Sequence, residues 1–254
     1  MPEWSLSGLV DLLPFIAAGF AAQLVDGALG MAFGVISSTL LISLGVTPAA
    51  ASAGVHLVET FTTAASGASH IAHRNVDWKL LGRLAVPGVI GGVTGAYVLT
   101  RIDAAAARPF VLAYLAGVGA YLVWRSVNFP ATHKAPKVVE PLGLVGGFLD
   151  AAGGGGWGPV VTSNLLVQGS EPRRTIGTVN TTEFLLTASI SATFIGALGW
   201  AAFTKATVGL LIGGVAAAPL GAMIAKRATP KLLLRIVGCL LILTSLFGIY
   251  TALR

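Results

Sequence analysis

Few residues in this 254-residue chain could do chemistry, and they recur in pairs. Glu59 and Glu183 each lie inside an apolar run, about eleven residues past the proline that opens it. A charged group at such a depth in a bilayer costs about 3 kcal/mol on insertion scales, and is usually functional or paired. The chemistry open to these two is proton coupling, or hydrogen bonding within a site through a protonated carboxyl. The blander role is a buried polar link that fixes a bent helix, for instance to free N–H groups of a broken segment. His56 precedes Glu59 by three, so the two share a helix face. That spacing could ligate a metal. The second half has Asn180 in place of His56 and no other ligand cluster stands near, so no metal site and no cofactor are expected. Asp26 and Asp150 each precede a glycine-rich interruption. They are expected to cap freed N–H groups or to take part in ion coupling.

The interruptions supply the other half of the chemistry. "GGGGWG" (153–158) carries four consecutive glycines in an apolar stretch, and "VDGALGMAFG" (25–34) has the same sense with fewer glycines. Glycine weakens helices, and bare backbone at membrane depth is tolerated only where it lines a cavity or is buried in protein. A short helix is expected to begin near Pro159, a good first helical residue. Its N-terminus would offer unpaired N–H groups and a partial positive charge, which suits an anion. Ser37, Ser38 and Thr39 in the first half, and Thr162, Ser163 and Asn164 in the second, add donors. No Lys-Ser/Thr pair follows the glycines, so this is not a phosphate loop. The expected binding residues are Gly30, Met31, Ala32, Phe33, Gly34, Ser37 and His56 in the first half. In the second they are Gly154, Gly155, Gly156, Trp157, Gly158, Thr162 and Asn180. Glu59, Glu183, Asp26 and Asp150 stand as coupling or structural carboxylates.

Composition dictates what positions them. The chain is 55% hydrophobic and 10% charged, with a mean hydropathy of +0.83. Soluble domains carry roughly 25% charged residues, so an integral membrane protein is expected. The net charge of +6 sits in short loops between apolar runs. It therefore reads as topology and not as a nucleic-acid surface. The one cysteine, Cys239, lies in an apolar run, which excludes a disulfide or a CxxC site. Glu3 and Asp11 stand where a signal peptide would be basic, so no cleavable leader is expected.

Apolar runs fall at 9–45 (interrupted), 49–71, 80–100 and 109–124, then at 142–169 (interrupted), 176–200, 206–225 and 232–253. One broken run followed by three whole ones occurs twice, around a polar linker. The expected division is a first repeat over 1–125, a linker over 126–139 and a second repeat over 140–254. A shift of 124 positions places Gly30 and Gly34 on Gly154 and Gly158, Gly45 and Pro48 on Gly169 and Pro172, and Glu59 on Glu183. Internal duplication is the common architecture of secondary transporters. Isolated glycine pairs such as Gly91–Gly92 and Gly213–Gly214 are expected to serve close helix packing.

The Lys and Arg residues bear on orientation. If each broken run crossed the membrane, eight basic residues would lie on either side. If each enters and returns, twelve share one face and Arg101, Arg108, Lys205 and Arg254 lie opposite. Twelve against four is the bias expected of cytoplasmic loops. The pieces flanking the glycine run span about 18 Å, too short to cross. The fold class expected is an all-α integral membrane protein of two inverted repeats, each a broken, re-entrant Gly-rich segment plus three transmembrane helices, with both termini outside.

The chain resembles the TauE/SafE sulfite-exporter family, also grouped as toluenesulfonate-uptake permeases. The residues that carry the likeness are "GFAAQLVDGALGMAFG" and "GGFLDAAGGGGWGP", each followed by an apolar piece, a Gly and a Pro ("LGVTP", "QGSEP"), then a helix. The likeness covers nearly the whole chain. It departs from the usual GxGGG form in the first half, where Met31, Ala32 and Phe33 intervene. It implies a multi-pass protein of the bacterial cytoplasmic membrane that moves sulfite, organosulfonates or related anions. The expected activity is secondary transport of such an anion near the midplane, with a channel of paired half-helices as the alternative and an enzyme not expected. The partners expected are the anion and the bilayer, not nucleic acid, and a homo-oligomer is left open.

Overall fold

The computed structural model describes residues 11–29, 32–127, 135–225 and 230–252. Among these the chain is helical with no strand. The first half comprises α1 (Leu13–Leu29), α2 (Phe33–Ser43), α3 (Pro48–Ala72), α4 (Trp78–Arg101) and α5 (Ala104–Val127). The second comprises α6 (Glu140–Gly153), a wide π-helical turn (Trp157–Thr162) running into α7 (Ser163–Val167), then α8 (Pro172–Leu198), α9 (Lys205–Ala225) and α10 (Pro230–Ala252). The helix starts follow ordinary capping chemistry. Pro48 opens α3 behind Thr47, whose Oγ1 accepts from Ala50 N, and Asp77 Oδ1 accepts from Lys79 N and Leu80 N at the start of α4.

Among the described residues, three helices are long and apolar enough to cross a membrane: Trp78–Arg101, Ala104–Val127 and Arg174–Leu198. The sequence led us to expect six whole spans. Helix α3, with 25 residues, has the length but not the apolarity, because it carries Ser, Thr, His56 and Glu59 on the side that faces protein. Large apolar side chains such as Phe110, Leu243 and Phe247 point outward, as lipid-facing residues do.

Chain direction follows from the contacts. Gly209, near the start of α9, abuts Leu12 and Phe15 at the start of α1. Thr207, beside it, abuts Gly54 near the start of α3. Helix α3 begins where α2 has just ended, so α1 and α2 fold back as a hairpin. The second half repeats this. Gly143 in α6 lies on Leu84 and Pro87 of α4, Arg83 pairs with Glu140, and Asp77 N donates to Thr178 Oγ1 at 2.8 Å. The start of α6 and the end of α7 therefore share one end of the bundle. Helix α1 packs on α9, and α6 packs on α4, along seams of glycine. Gly91 lies directly on the Leu144 and Phe148 backbone, and Gly213 on that of Ile16 and Phe20, the packing role expected of them. Helices α3 and α8 run antiparallel, with Gly67 on Thr181 and Thr60 Oγ1 3.4 Å from Ser191 Oγ. So do α5 and α10, with Gly119 on Gly238 and Leu112 on Gly248.

Candidate functional site

The two hairpin tips meet in the centre of the bundle. Gly155 lies against Gly34 and Val35, and Gly154 lies against Ser38. Gly154 ends α6 in the left-handed region (φ 73°), and Gly155 follows at φ 138°. Only glycine adopts these conformations readily. The break in the second half is therefore a reversal of the chain in the middle of the protein. The short helix after it starts at Trp157, two residues earlier than expected, through the wider π turn.

Each break is crossed by the aspartate that precedes it. Asp26 Oδ1 accepts from Ala32 N at 2.7 Å and from Phe33 N at 3.2 Å. Asp150 Oδ1 accepts from Trp157 N at 2.9 Å. Phe33 and Trp157 are equivalent under the 124-residue shift, so both halves use one device. The Glu59 side chain lies beside Gly34, where an added methyl would come within 2.9 Å of its Oε1. The expectation of bare N–H groups at these helix starts is thus corrected for Ala32, Phe33 and Trp157. A buried N–H without a partner is costly, and here the chain's own carboxylates meet that need.

Between the tips lies a cavity of about 10 Å³, lined by Asp26, Ala32, Phe33, Gly34, Glu59, Asp150, Gly156, Gly158 and Glu183, together with Val35 and Pro159. All four carboxylates singled out from the sequence converge on it. It holds at most one water molecule, so an oxyanion of four or more heavy atoms enters only when the tips part.

Other expected residues stand behind the cavity. Ser37, Ser38 and Thr162 are fully buried, and their hydroxyls have no hydrogen-bond partner among the described residues. Ser38 and Thr162 are equivalent positions. Asn180 is buried on α8 but is not in the cavity lining. Trp157 is enclosed completely, its ring against Gly88 and Gly146 and its Nε1 donating to Val179 O at 3.3 Å. It anchors the second hairpin and does not face the cavity. Gly30 and Met31 lie outside the described residues. His56 is fully buried and bonded to Asp150. No group of three or more His, Cys, Asp or Glu suited to a metal ion occurs among the described residues.

Two participants were not anticipated. Tyr114 on α5 donates its hydroxyl to Gly155 O at 3.1 Å, fixing the tip from the side. Beyond Gly95 the two halves align through a small gap, which sets Tyr114 against Leu240, so the repeat gave no signal for it. Ser52 donates to Ala151 O at 2.7 Å. It precedes His56 by four and shares its face, a spacing that could have marked it.

Paired breaks, paired aspartates, paired glutamates and reciprocal helix packing relate the two halves of the chain. The family profile described as "Sulfite exporter TauE/SafE" matches residues 15–248. The chain is 43% identical over 243 residues to the "Probable membrane transporter protein YtnM" of Bacillus subtilis (strain 168), covering 92% of this chain and 81% of that protein. No solved structure matches the chain. With a profile match across nearly its whole length, the chain belongs to the TauE/SafE sulfite exporter family of membrane proteins.

Proposed function

We propose that this protein is a proton-coupled secondary transporter of a small sulfur-containing anion, sulfite or an organosulfonate, built as two inverted repeats. The observation that carries the reading is the meeting of two equivalent hairpin tips at one small cavity. Inverted orientation is supported by the equivalent pairs α3/α8 and α5/α10, which run antiparallel, because a two-fold that exchanges antiparallel helices lies in the membrane plane. The substrate class rests on the family's description and on the unpartnered hydroxyls of Ser37, Ser38 and Thr162, donors that an oxyanion would engage as the tips part. The four carboxylates around the cavity repel an anion unless protons accompany it, which is the physical basis for coupling. Alternating access then consists of one hairpin-bearing half moving against the other.

Purified protein in liposomes, offered sulfite, sulfoacetate, taurine and sulfate in turn, is expected to show saturable counterflow of at least one of them. Flux that rises linearly with concentration would mean a channel instead. Glu59→Gln and Glu183→Gln are each expected to weaken the dependence of uptake on a pH gradient. Transport whose pH response is untouched in both variants would remove these carboxylates from coupling.

The hairpin topology has its own test. If each broken run returns to the side it entered, the sequence assigns twelve basic residues to one face, which is then cytoplasmic, and both termini face outward. In a Cys239→Ser background, cysteines at Lys137 and Gly169 are expected to react with an impermeant thiol reagent from the cytoplasmic side only. Cysteines at Asp103 and Phe203 should react only from outside. Opposite labelling of positions 137 and 169 would overturn the hairpin.

A further inference from the structure

We propose that His56 and Asp150 together form one proton-binding site, and that the proton held there travels with the transported anion. The inference rests on the reading of the protein as a proton-coupled anion transporter and assigns the coupling proton to a place.

The hydrogen bonds locate that proton. His56 Nδ1 lies 2.7 Å from Ser52 O, which only accepts. It also lies 3.2 Å from Ser52 Oγ, whose own hydrogen is donated to Ala151 O. Both neighbours are acceptors toward the ring, so Nδ1 carries a hydrogen. Nε2 faces Asp150 Oδ2 at 3.1 Å. If the imidazole were neutral and the carboxylate ionised, two lone pairs would face one another across this contact. Exactly one further proton resolves the clash. It makes the pair either imidazolium with carboxylate or imidazole with carboxylic acid, and in both forms the net charge is zero. Losing that proton leaves a charge of −1 on side chains that are 0% and 3% exposed.

The surroundings make that charge consequential. Glu59 on α3, Glu183 on α8 and Asp26 on α1 line the same small cavity as Asp150, and Tyr114 on α5 bonds to the tip at Gly155. The Phe194 ring of α8 closes the remaining side, 6.4 Å from the imidazole. A loaded pair takes one negative charge out of the carboxylate cluster, so an anion meets less repulsion. An unloaded pair restores that repulsion. Proton and anion are thereby favoured together, one of each per cycle.

The pair is also placed to respond to movement. His56 belongs to α3 of the first half, and Asp150 to the hairpin of the second. Parting the tips moves the hairpin against α3 and lengthens the bond, which leaves the proton with one holder in place of two. It enters as H+ from one side and leaves as H+ to the other. The arrangement occurs once, since the equivalent of His56 is Asn180, an amide that does not titrate, while the equivalent of Asp150 is Asp26.

Two readouts test the site in the full protein in liposomes. The first is 15N solid-state NMR with labelled histidine, the His56 signals being those missing from His56→Asn. Nδ1 is expected to carry hydrogen at every pH. The Nε2 signal is expected to change in Asp150→Asn, because its partner across the bond is then an amide. An unprotonated Nδ1, or a His56 signal unchanged in Asp150→Asn, overturns the proposal. The second readout is counterflow between pH 5.5 and 8, with the best substrate of the panel above. In the wild type the rate should vary about tenfold over that range, as one titrating group allows, whatever its absolute value. His56→Asn, which copies Asn180, is expected to flatten the profile. A profile of unchanged shape in His56→Asn overturns the shared proton while leaving transport intact. A wild type that moves no anion of the panel overturns the proposed function, and the NMR readout still decides the pair.

Discussion

Gly155→Ala is expected to abolish transport and to lower thermal stability, the largest effect of any one-carbon change in the protein. Two independent costs combine at this position. The backbone sits at φ 138°, which an L side chain adopts only with strain of about 1–3 kcal/mol. The added methyl would also fall 2.6 Å from Gly34 C and 3.0 Å from Val35 Cα. Those are backbone atoms of the opposing hairpin, and they cannot rotate aside as a side chain would. The tips must separate, and the hydrogen bonds that cross each break loosen with them. Gly196→Ala is the matched control, because a methyl there meets nothing within 4 Å. Uptake into liposomes and the melting temperature in detergent should fall together for Gly155→Ala and remain at wild-type values for Gly196→Ala. Wild-type uptake in Gly155→Ala would mean that the close approach of the tips is dispensable.

Much of this geometry was legible in the sequence because it depends on local rules. Glycine runs in apolar stretches mark chain reversals. A carboxylate just before a break is placed to cap what the break frees. A repeat converts single weak signals into pairs. The count of basic residues favoured hairpins, and among the described residues Arg83 and Glu140 meet where α4 and α6 begin, at the end of the bundle that α7 also reaches. What stayed hidden depends on distant parts of the chain. Glu59, more than twenty residues along the chain from Gly34, lies beside it at the first tip. Tyr114 contacts the second tip from a helix with no matching residue in the other half. His56 and Asp150 were each visible as polar residues in apolar runs. Their bond, however, joins positions 94 residues apart, and neither half contains it alone.

Trp157→Ala is expected to be the most destabilising truncation in the second half. From the sequence, Trp157 belonged with the binding residues because it follows the glycine run directly. Its position says otherwise. The indole is 0% exposed, and its Cη2 lies where a methyl on Gly88 would come within 2.8 Å. Gly146 and Gly88 leave the space that the ring fills, and Val179 O accepts its N–H. Truncation of a buried Trp costs about 3–5 kcal/mol in a water-soluble core. In lipid the hydrophobic part of that cost is smaller, but the lost packing remains, and so does the loss of the indole's bond to Val179 O. A loss on the order of 3 kcal/mol is expected here. Trp157→Phe should recover most of it, forfeiting about 1 kcal/mol with the missing hydrogen bond. The kinetic pattern separates anchoring from substrate contact. An anchor sets where Gly155, Gly156 and Gly158 stand, so its loss lowers the maximal rate along with the melting temperature. A ring that touched the anion would instead raise KM while the melting temperature stayed in place. Measuring both in Trp157→Ala and Trp157→Phe decides between them, and the burial of the indole commits us to the first outcome.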